Sequence, residues 1–527
     1  MDDAAAVVAS ELTETSIPVT VVDVLIIGAG LSGIGAACHL RRRCPDKSLA
    51  IIERRARMGG TWDLFRYPGV RSDSDMYTFG FSFRPWTEPR VLADGPSIRQ
   101  YVNDTAHEYG VDEKIHYGRK ATRADWSSRE SRWTVETIEE ATGRRERFHA
   151  SFVITCTGYY NYDAGYRPTF DGEADFQGQL VHPQFWPEEL DYVGKNVVVI
   201  GSGATAITLV PSLARQGAHV TMLQRSPTYV LSVPAIDKLA KMLQKHLPAK
   251  LAYRINRVRN VDVQRALYKM SRRHPNLVRK AIQGLAHKQL GDSVDMRHFT
   301  PRYDPWDQRL CVVPNGDLFK TLRRGEAAIE TDSVERFTEH GVLLKSGKEL
   351  PADIIVTATG LDVRMAGGMA IHVDGEHVPV GGHLTYKGVM LADVPNAGVL
   401  FGYTNASWTL KVDLGAEYLC RVIDHMGRHG YKTVMARATP DAAGEGSVMG
   451  GLNSGYVQRG AARLPGQGSK SPWRVVQDYA YDVGILRYGD LEDGIIEFDG
   501  QPSHAPRSAW RRPLRSLRAG LASVGVV

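Results

Sequence analysis

Two glycine-rich turns, each between an apolar run and a helical stretch, limit most strongly what this chain can fold into. The first unit has VVDVLII at 21–27, GAGLSG at 28–33, a helical stretch to Arg43 and an apolar run at 49–52. The second has NVVVI at 196–200, GSGATA at 201–206, a helical stretch to Arg215 and an apolar run at 219–223. This order of strand, turn, helix and strand is typical of a dinucleotide-binding βαβ unit. The sequence therefore predicts two separate dinucleotide sites.

The three small residues of each turn have distinct roles. The first permits a tight turn, the second lets a pyrophosphate approach the backbone, and the third lets the helix pack on the strand. Gly33 occupies the third place in the first unit, and Ala206, which the pattern tolerates, occupies it in the second. The helix N-terminus then faces the phosphates.

The ends of the two second strands distinguish the ligands. Glu53 ends the strand of the first unit, where a carboxylate accepts hydrogen bonds from a ribose 2′-hydroxyl and repels a 2′-phosphate. In the second unit Gln224 and Arg225 stand there; Arg225 can pair with a 2′-phosphate and Ser226 can add a hydrogen bond. We therefore predict FAD in the first unit and NADPH in the second, unless Arg225 is only a solvated surface charge.

The chain of 527 residues is long enough for two or three domains. Apolar runs at 152–156 and 354–357 end in similar threonine–glycine turns and bracket the second unit. We predict an α/β fold of two Rossmann-like dinucleotide-binding domains, with the NADPH domain inserted in the FAD domain. The predicted parts are a flexible tail at 1–20, an FAD domain at 21–160 and 331–500, an NADPH domain at 161–330 with a basic helical insertion at 231–300, and a basic tail at 501–527. The glycine-rich stretch 439–468 is predicted to be a long loop.

Positive charge is concentrated in the helical insertion. The formal net charge is +6, yet residues 231–300 contain 15 lysines and arginines against four aspartates. Such a segment is compatible with a peripheral contact to an anionic membrane and equally with a solvated charged face. No recognition motif supports a nucleic-acid partner.

Composition and the N-terminus point to the cytoplasm. The first residues are acidic rather than basic, and no run of 18 apolar residues occurs. Five widely spaced cysteines without a CxxC pair do not suggest a disulfide framework or a metal site. We expect a cytoplasmic protein, with membrane association left open.

A string shortly before the second glycine turn narrows the class of flavoprotein. Phe176, Gly178, His182, Trp186 and Pro187 stand at the fixed places of the pattern FxGxxxHxxxW(P/D). Together with GGTW at 59–62 and RYPG at 66–69, the string resembles class B flavoprotein monooxygenases of the Baeyer–Villiger type. Their N- and S-oxidising relatives end the string with tyrosine or phenylalanine. A disulfide reductase is disfavoured, because residues 54–75 contain no cysteine.

The resemblance implies roles for particular residues. The positions implied for FAD are Gly28, Gly30, Ser32, Gly33, Glu53, Thr61, Trp62, Asp63, Leu64, Asp73 and, at the adenine, Ala121. Arg71, Ser72 and Asp73 are also implied to reach the nicotinamide end. The positions implied for NADPH are Gly201, Ser202, Gly203, Ala204, Thr205, Ala206, Ile207, Arg225 and Ser226. Arg309 matches the active-site arginine.

The chain departs from the better-known Baeyer–Villiger enzymes at two places. Asp63 and Leu64 stand where those enzymes have tyrosine and tryptophan, which leaves substrate preference open. Gln308 stands where they have a lysine beside the active-site arginine. This change removes one candidate contact to the 2′-phosphate and leaves more of that role to Arg225.

The resemblance implies a monooxygenase that consumes NADPH and uses FAD, through a flavin C4a-(hydro)peroxide, to transfer one oxygen atom from O₂. Its substrates would be small and apolar: a ketone, or a sulfide or thioamide, with oxidation at sulfur or nitrogen. We expect Arg309 to stabilise anions formed on oxygen and Asp73 to hold Arg309 by a charge-assisted pair, although either could belong to a structural salt bridge. The alternatives are an N- or S-oxygenase without ketone activity and a non-enzymatic flavin-binding sensor.

Overall fold

The computed structural model of this protein describes residues 17–442, 444 and 446–502 of the chain. Most of the predicted tail at 1–20 and nearly all of the predicted tail at 501–527 lie outside these residues. The predicted end of the first tail at 20 is too late, because Val19 and Thr20 already pair with a neighbouring strand as part of the first strand of the chain. The strands are β1 (Val19–Ile27), β2 (Leu49–Ile52), β3 (Ile115–His116), β4 (Lys120–Ser127), β5 (Arg132–Ile138), β6 (Arg145–Thr155), β7 (Gln179–Val181), β8 (Asn196–Ile200), β9 (His219–Gln224), β10 (Val230–Val233), β11 (Cys311–Pro314), β12 (Ala327–Thr331), β13 (Val334–Thr338), β14 (Gly341–Leu344), β15 (Glu349–Pro351), β16 (Ile354–Thr357), β17 (Ala370–Val373), β18 (Glu376–His377), β19 (Thr385–Tyr386), β20 (Met390–Leu391), β21 (Ala397–Val399), β22 (Val434–Ala436), β23 (Ile496–Phe498) and β24 (Gln501–Pro502). The α-helices are α1 (Leu31–Arg43), α2 (Thr61–Leu64), α3 (Met76–Phe79), α4 (Gly95–Glu108), α5 (Ala204–Arg215), α6 (Lys238–His246), α7 (Ala249–Arg273), α8 (Pro275–Leu290), α9 (Asp317–Arg323), α10 (Trp408–His429), α11 (Gly455–Gly460) and α12 (Tyr479–Asp482).

The first sheet has the strand order β18-β17-β4-β5-β6-β1-β2-β3, with β21 added to β6. The pairs of β1 with β2 and β6 are parallel, whereas β4, β5 and β6 form an antiparallel meander. Alternate residues of β1 and β2 enter two different apolar clusters, one with α1 and α10 and one with the meander. Both faces are therefore covered, which explains why these strands are continuous apolar runs.

The second sheet is parallel throughout, in the order β12-β9-β8-β16-β7. The two sheets and their helices confirm the predicted α/β fold with two dinucleotide-binding units. Strand β16 lies between β8 and β7 and so belongs to the second sheet and not to the first, while β13, β14 and β15 before it form a separate three-stranded antiparallel sheet. The predicted boundary at 330 is thus too early, because the backbone hydrogen bonds of β16 are made with β8 and β7.

The predicted helical insertion consists of α6, α7 and α8. The inner face of α7 packs against the first domain, where the buried Arg257 donates hydrogen bonds to the carbonyl oxygens of Tyr77 and Gly80 and to Asp413. None of the helices that the structure describes has the length and hydropathy of a membrane-spanning segment.

The stretch 439–468 is not the simple loop that its glycine content predicts. It contains α11, whose Val457 is buried in an apolar cluster with Leu464, Tyr159 and Val363. Tertiary burial of these few apolar side chains outweighs the low helix propensity of the glycine-rich sequence.

Candidate functional site

A cleft of about 830 Å³ lies where β1 and β8 end, and both glycine turns line it. In a parallel sheet the carboxyl ends of the strands are the usual place for a ligand. One cleft therefore joins the two predicted dinucleotide sites.

The first turn is shaped for close backbone packing. Gly28 has φ +103°, and a Cβ there would lie 2.8 Å from the carbonyl oxygen of Cys156. A Cβ on Gly33 would lie 1.8 Å from the carbonyl oxygen of Gly28. Gly30 precedes α1 and brings no side chain to cap it, so the helix N-terminus can serve an anion.

Glu53 directly follows β2 at the wall of the cleft. Its carboxylate accepts hydrogen bonds from the amides of Ala29 at 2.7 Å and Arg55 at 2.9 Å, one on each oxygen. Burial raises the pKa of Glu53, and the two amides act in the opposite direction. Each oxygen keeps a second lone pair, so the fixed carboxylate can still accept hydroxyl groups of a ribose.

The second turn is built in the same way. Gly201 has φ +145°, and a Cβ there would lie 2.3 Å from the carbonyl oxygen of Ala358 in the turn after β16. Gln224 at the end of β9 is buried and donates to the carbonyl oxygen of His298 at 2.8 Å. This anchors the strand end, and Arg225 follows it as an exposed side chain on the cleft.

Most predicted cofactor residues line the cleft. They are Gly28, Gly30, Ser32, Glu53, Thr61, Trp62, Arg71, Ser72, Asp73, Ala121, Gly201, Ser202, Gly203, Ala204, Thr205, Arg225 and Ser226. Gly33, Asp63, Leu64, Ala206 and Ile207 are buried behind its wall.

Asp63 has a structural setting that its sequence position did not indicate. Its buried carboxylate lies 2.7 Å from the guanidinium of Arg55, 3.3 Å from that of Arg57 and 3.4 Å from that of Arg99. Because this carboxylate already contacts several arginines, it stabilises the segment around α2 and is not available to bind a flavin.

Arg309 lies at the inner part of the cleft among tyrosines. Burial alone would lower its pKa, but the interactions with Tyr159, Tyr456 and Asp73 hold the pKa well above its usual value. Tyr159 and Tyr160 are joined through their hydroxyl groups at 3.1 Å, and burial raises the pKa of Tyr160 to about 12. The site thus combines a permanent cation with neutral phenols at neutral pH.

The predicted pair between Asp73 and Arg309 is not formed. No carboxylate of the described residues lies within ion-pair distance of Arg309, and its buried Nε has no hydrogen-bond partner among them. Asp73 acts on Arg309 only through its charge, as the raised pKa of the arginine indicates. The neighbouring Arg71 is engaged elsewhere, because its guanidinium contacts Asp317 at 2.6 Å.

The five fingerprint residues do not line the cleft. Phe176 and Trp186 pack in the apolar clusters of the second domain, and a Cβ on Gly178 would lie 2.4 Å from the carbonyl oxygen of Asp353. Pro187, which follows Trp186, is exposed. His182 lies against Gly165, whose Cβ position would be only 1.9 Å from its ring, and beside the backbone of Tyr166 and Gly360. The fingerprint residues therefore lie outside the cleft, and His182 packs against the backbone of the turn after β16 on the side away from the cleft.

Sequence reasoning did not single out the aromatic wall around Arg309. Tyr159 stacks on Trp408 at 5.4 Å between ring centroids, and Tyr456 of α11 completes the wall. The indole of Trp408 also donates to Ser32 at 2.8 Å, which joins α10 to the first turn. The string CTGYY at 156–160 contained the signal for Tyr159 and Tyr160, since it follows a strand that ends at the cleft.

The residues present fit two dinucleotides. Two uncapped helix N-termini, of α1 and α5, open on one cleft and can each receive a pyrophosphate. A fixed carboxylate, Glu53, stands on the first side and an exposed arginine, Arg225, on the second. In the described residues no cluster of histidine, cysteine and acidic side chains could hold a metal ion.

Comparison with known proteins identifies close relatives. A family model for pyridine nucleotide-disulphide oxidoreductases matches residues 25–276. MymA of Mycobacterium tuberculosis, named as an FAD-containing monooxygenase, is 57% identical over 480 residues, which cover 90% of this chain and 97% of MymA. EthA of Mycolicibacterium smegmatis, named in the same way, is 51% identical over 478 residues, 90% of this chain and 96% of EthA.

Solved structures share the fold over nearly the whole chain. A steroid monooxygenase bound to NADP has a TM-score of 0.73 at 22% identity and covers 91% of this chain and 99% of its own. An open form of cyclohexanone monooxygenase has a TM-score of 0.71 at 20% identity, with 91% and 100% covered.

Proposed function

Because the chain belongs to the FAD-containing monooxygenases, we propose that it uses NADPH and O₂ to oxygenate small apolar ketones, sulfides or thioamides. For a ketone, the ketone, NADPH, O₂ and a proton give an ester, NADP⁺ and water. For a sulfide, the sulfide, NADPH, O₂ and a proton give a sulfoxide, NADP⁺ and water. One oxygen atom enters the substrate and the other leaves as water.

The observation that carries this proposal is the unpaired guanidinium of Arg309 in a cleft shared by two nucleotide turns. A cation without a protein counter-charge is available to a reacting anion, and an arginine stays charged at any working pH. Ion-paired arginines line the same cleft, for example Arg54 with Glu140 and Arg71 with Asp317. Arg309 differs from them in this respect.

When bound, FAD accepts a hydride from NADPH and activates O₂. The guanidinium of Arg309 is placed to stabilise negative charge on a reacting oxygen atom, first on the oxidant and then on the attacked carbonyl. Tyr159, Trp408 and Tyr456 limit access of water to this end of the cleft, which strengthens that stabilisation. Tyr159, Tyr456 and the more distant charge of Asp73 raise the pKa of Arg309, so its guanidinium remains a cation throughout.

The residue at the end of the fingerprint favours ketone oxygenation over N- or S-oxygenation alone. The chain has Trp186 and Pro187 there, and Trp186 packs against Tyr192 in the second domain at 6.3 Å between centroids. An enzyme restricted to sulfur or nitrogen is the second candidate, because the departures at Asp63 and Leu64 from the better-known ketone-oxidising enzymes leave substrate preference open.

The test is to separate flavin reduction from oxygenation. FAD-loaded Arg309→Ala should be reduced by NADPH without oxygen at about the wild-type rate, while ester and sulfoxide, measured by mass spectrometry, fall by about 10²-fold or more. The matched control is Arg302→Ala, an exposed arginine seven residues earlier, which should form product normally. Ester formation by Arg309→Ala near the wild-type rate would refute the role of Arg309.

We also propose a peripheral contact between the helical insertion and an anionic membrane. Of the thirteen large apolar side chains exposed on the described chain, nine lie between 236 and 285: Ile236, Leu239, Met242, Leu251, Ile255, Val263, Met270, Leu277 and Leu285. Between 236 and 288 ten lysines and arginines are exposed and only one acidic residue, Asp262. Interleaved exposed apolar and basic side chains suit the headgroup region of an anionic bilayer.

The part of the insertion that carries the pattern most densely is 236–255. Leu239 and Met242 lie one turn apart on α6, as do Leu251 and Ile255 on α7, and Lys238, Lys241, Lys245, Lys250 and Arg254 flank them. An ion pair between Asp237 and Arg259 holds α6 to α7, so these side chains form one surface. A solvated charged face would not need five exposed large apolar residues beside the lysines.

Sedimentation with vesicles tests this surface. The wild type should bind vesicles containing phosphatidylglycerol at low salt, release at high salt, and ignore vesicles of phosphatidylcholine alone. The double variant Leu239→Glu/Met242→Glu should lose binding, whereas Val193→Glu, at an exposed apolar residue outside the insertion, should keep it. No wild-type binding at low salt would contradict the contact.

A further inference from the structure

Eight cationic side chains line the cleft, and all but three are paired with a carboxylate. The five paired residues are Arg54, Arg71, Arg119, Lys120 and Arg364. Arg225, Arg309 and Arg459 form no ion pair with any described residue. Arg309 has a role in the proposed reaction, and Arg225 is predicted to bind the 2′-phosphate of NADPH. Arg459 is therefore the one of these three cations that has no assigned role.

Arg459 stands beside the second nucleotide turn. It belongs to α11, and its guanidinium carbon lies 3.4 Å from the centre of the Tyr166 ring. A Cβ on Gly360 would lie 3.4 Å from its Nη2 atom, and Gly360 ends the turn whose Ala358 abuts Gly201. The tyrosine face thus fixes the guanidinium over the NADPH side of the cleft.

Arg459 lies near a second unpaired cation of the cleft. Burial lowers the pKa of Arg459, Tyr166 and Asp362 act in the opposite direction, and the positive charges of Arg225 and Arg463 lower it again. Arg463, one turn further along the chain, is neutralised by Asp362 at 2.7 Å, but Arg459 and Arg225 have no such partner among the described residues. Two exposed arginines that repel each other in one cleft are arranged for an anion that both can contact.

We propose that Arg459 binds the 2′-phosphate of NADPH together with Arg225. The inference rests on the proposed function and deepens it, because it names the residue that takes the place of the missing lysine at Gln308. Arg225 is then the first cation at the 2′-phosphate. The second cation, Arg459, belongs to the C-terminal segment and not to the loop that contains Gln308 and Arg309. NADPH binding would therefore also hold α11, with its Tyr456, against the cleft.

Calorimetry on the FAD-loaded protein tests the assignment without turnover. In Arg459→Ala the Kd for NADP⁺ should rise about tenfold or more, while the Kd for NAD⁺, which lacks the 2′-phosphate, should stay unchanged. Arg459→Lys should recover part of the loss, and Arg474→Ala, at an exposed arginine of the C-terminal segment outside the cleft, is the matched control with unchanged Kd. If both arginines hold one phosphate, the loss in Arg225→Ala/Arg459→Ala should be smaller than the product of the two single losses.

The outcomes separate the two proposals. Equal weakening of NADP⁺ and NAD⁺ in Arg459→Ala, or no weakening of either, would overturn the assignment of Arg459. A wild-type protein that binds neither FAD nor NADP⁺ would overturn the proposed function itself. The flavin absorbance spectrum of each variant establishes that it folds.

Discussion

Arg272 of α7 donates a hydrogen bond to the carboxylate of Asp307 at 2.6 Å, two residues before Arg309. The backbone oxygen of Asp307 accepts from the amide of Asn453 at 2.6 Å, and Arg279 of α8 pairs with Asp304. The basic insertion therefore does more than carry surface charge, because two of its arginines fix the loop that presents Arg309.

Loosening this loop should affect oxygenation more than flavin reduction. Arg272→Ala is expected to lower oxygenated product per NADPH by up to roughly fivefold, since a half-exposed pair contributes about 0–1 kcal/mol. Product and NADPH consumption are measured together, with Arg273→Ala, an exposed neighbour, as the control. A parallel fall in the rate of flavin reduction would show that the effect is not confined to the loop.

The buried arginine of α7 should be a major contributor to stability. Arg257→Leu leaves Asp413 charged and buried with one partner fewer, which is expected to lower the free energy of unfolding by about 3–5 kcal/mol. Denaturant unfolding measures the loss. Arg254→Leu, at an exposed position on the same helix, should change stability by no more than about 0.5 kcal/mol. Similar losses in both variants would argue against the buried network.

Two helical glycines should respond in opposite ways to alanine. Gly33→Ala places a methyl group 1.8 Å from the carbonyl oxygen of Gly28, so the purified protein should contain little FAD by its absorbance. Gly284→Ala meets nothing within 4 Å and should raise the free energy of unfolding by about 0.5–1 kcal/mol, because glycine weakens a helix. Normal FAD content in Gly33→Ala would contradict this prediction, because the first turn could then make room for the methyl group and still bind FAD.

His182 should make stability depend on pH. Burial lowers its pKa from 6.5, while the backbone near Gly360 and Tyr166 acts in the opposite direction. The unfolded chain then takes up a proton at higher pH than the folded chain, so stability is full above pH 6.5 and falls as pH drops through the folded pKa. The free energy of unfolding should fall more for the wild type than for His182→Gln between pH 8 and 5.5. The wild type and the variant share all other histidines. If the free energy of unfolding falls equally with pH in both proteins, His182 is not the cause.

Local sequence was sufficient for the two nucleotide units. The apolar runs, the glycine turns and the following helices appear in the structure as β1 with α1 and β8 with α5. These features depend on backbone geometry and side chains within a few residues of one another, such as the steric need for glycine at Gly28 and Gly201. The strand ends at Glu53 and Gln224 follow from the same short-range pattern.

The charge partners were decided only by the tertiary structure. Asp73 stands near Arg309 without pairing, Arg71 pairs with Asp317 instead, and Asp63 is surrounded by arginines. The position of β16 in the second sheet and the convergence of Arg459 with Arg225 also join segments more than a hundred residues apart. Ion pairs and sheet neighbours depend on distance in space, and a chain that folds back on itself sets those distances through packing that no short window of sequence contains.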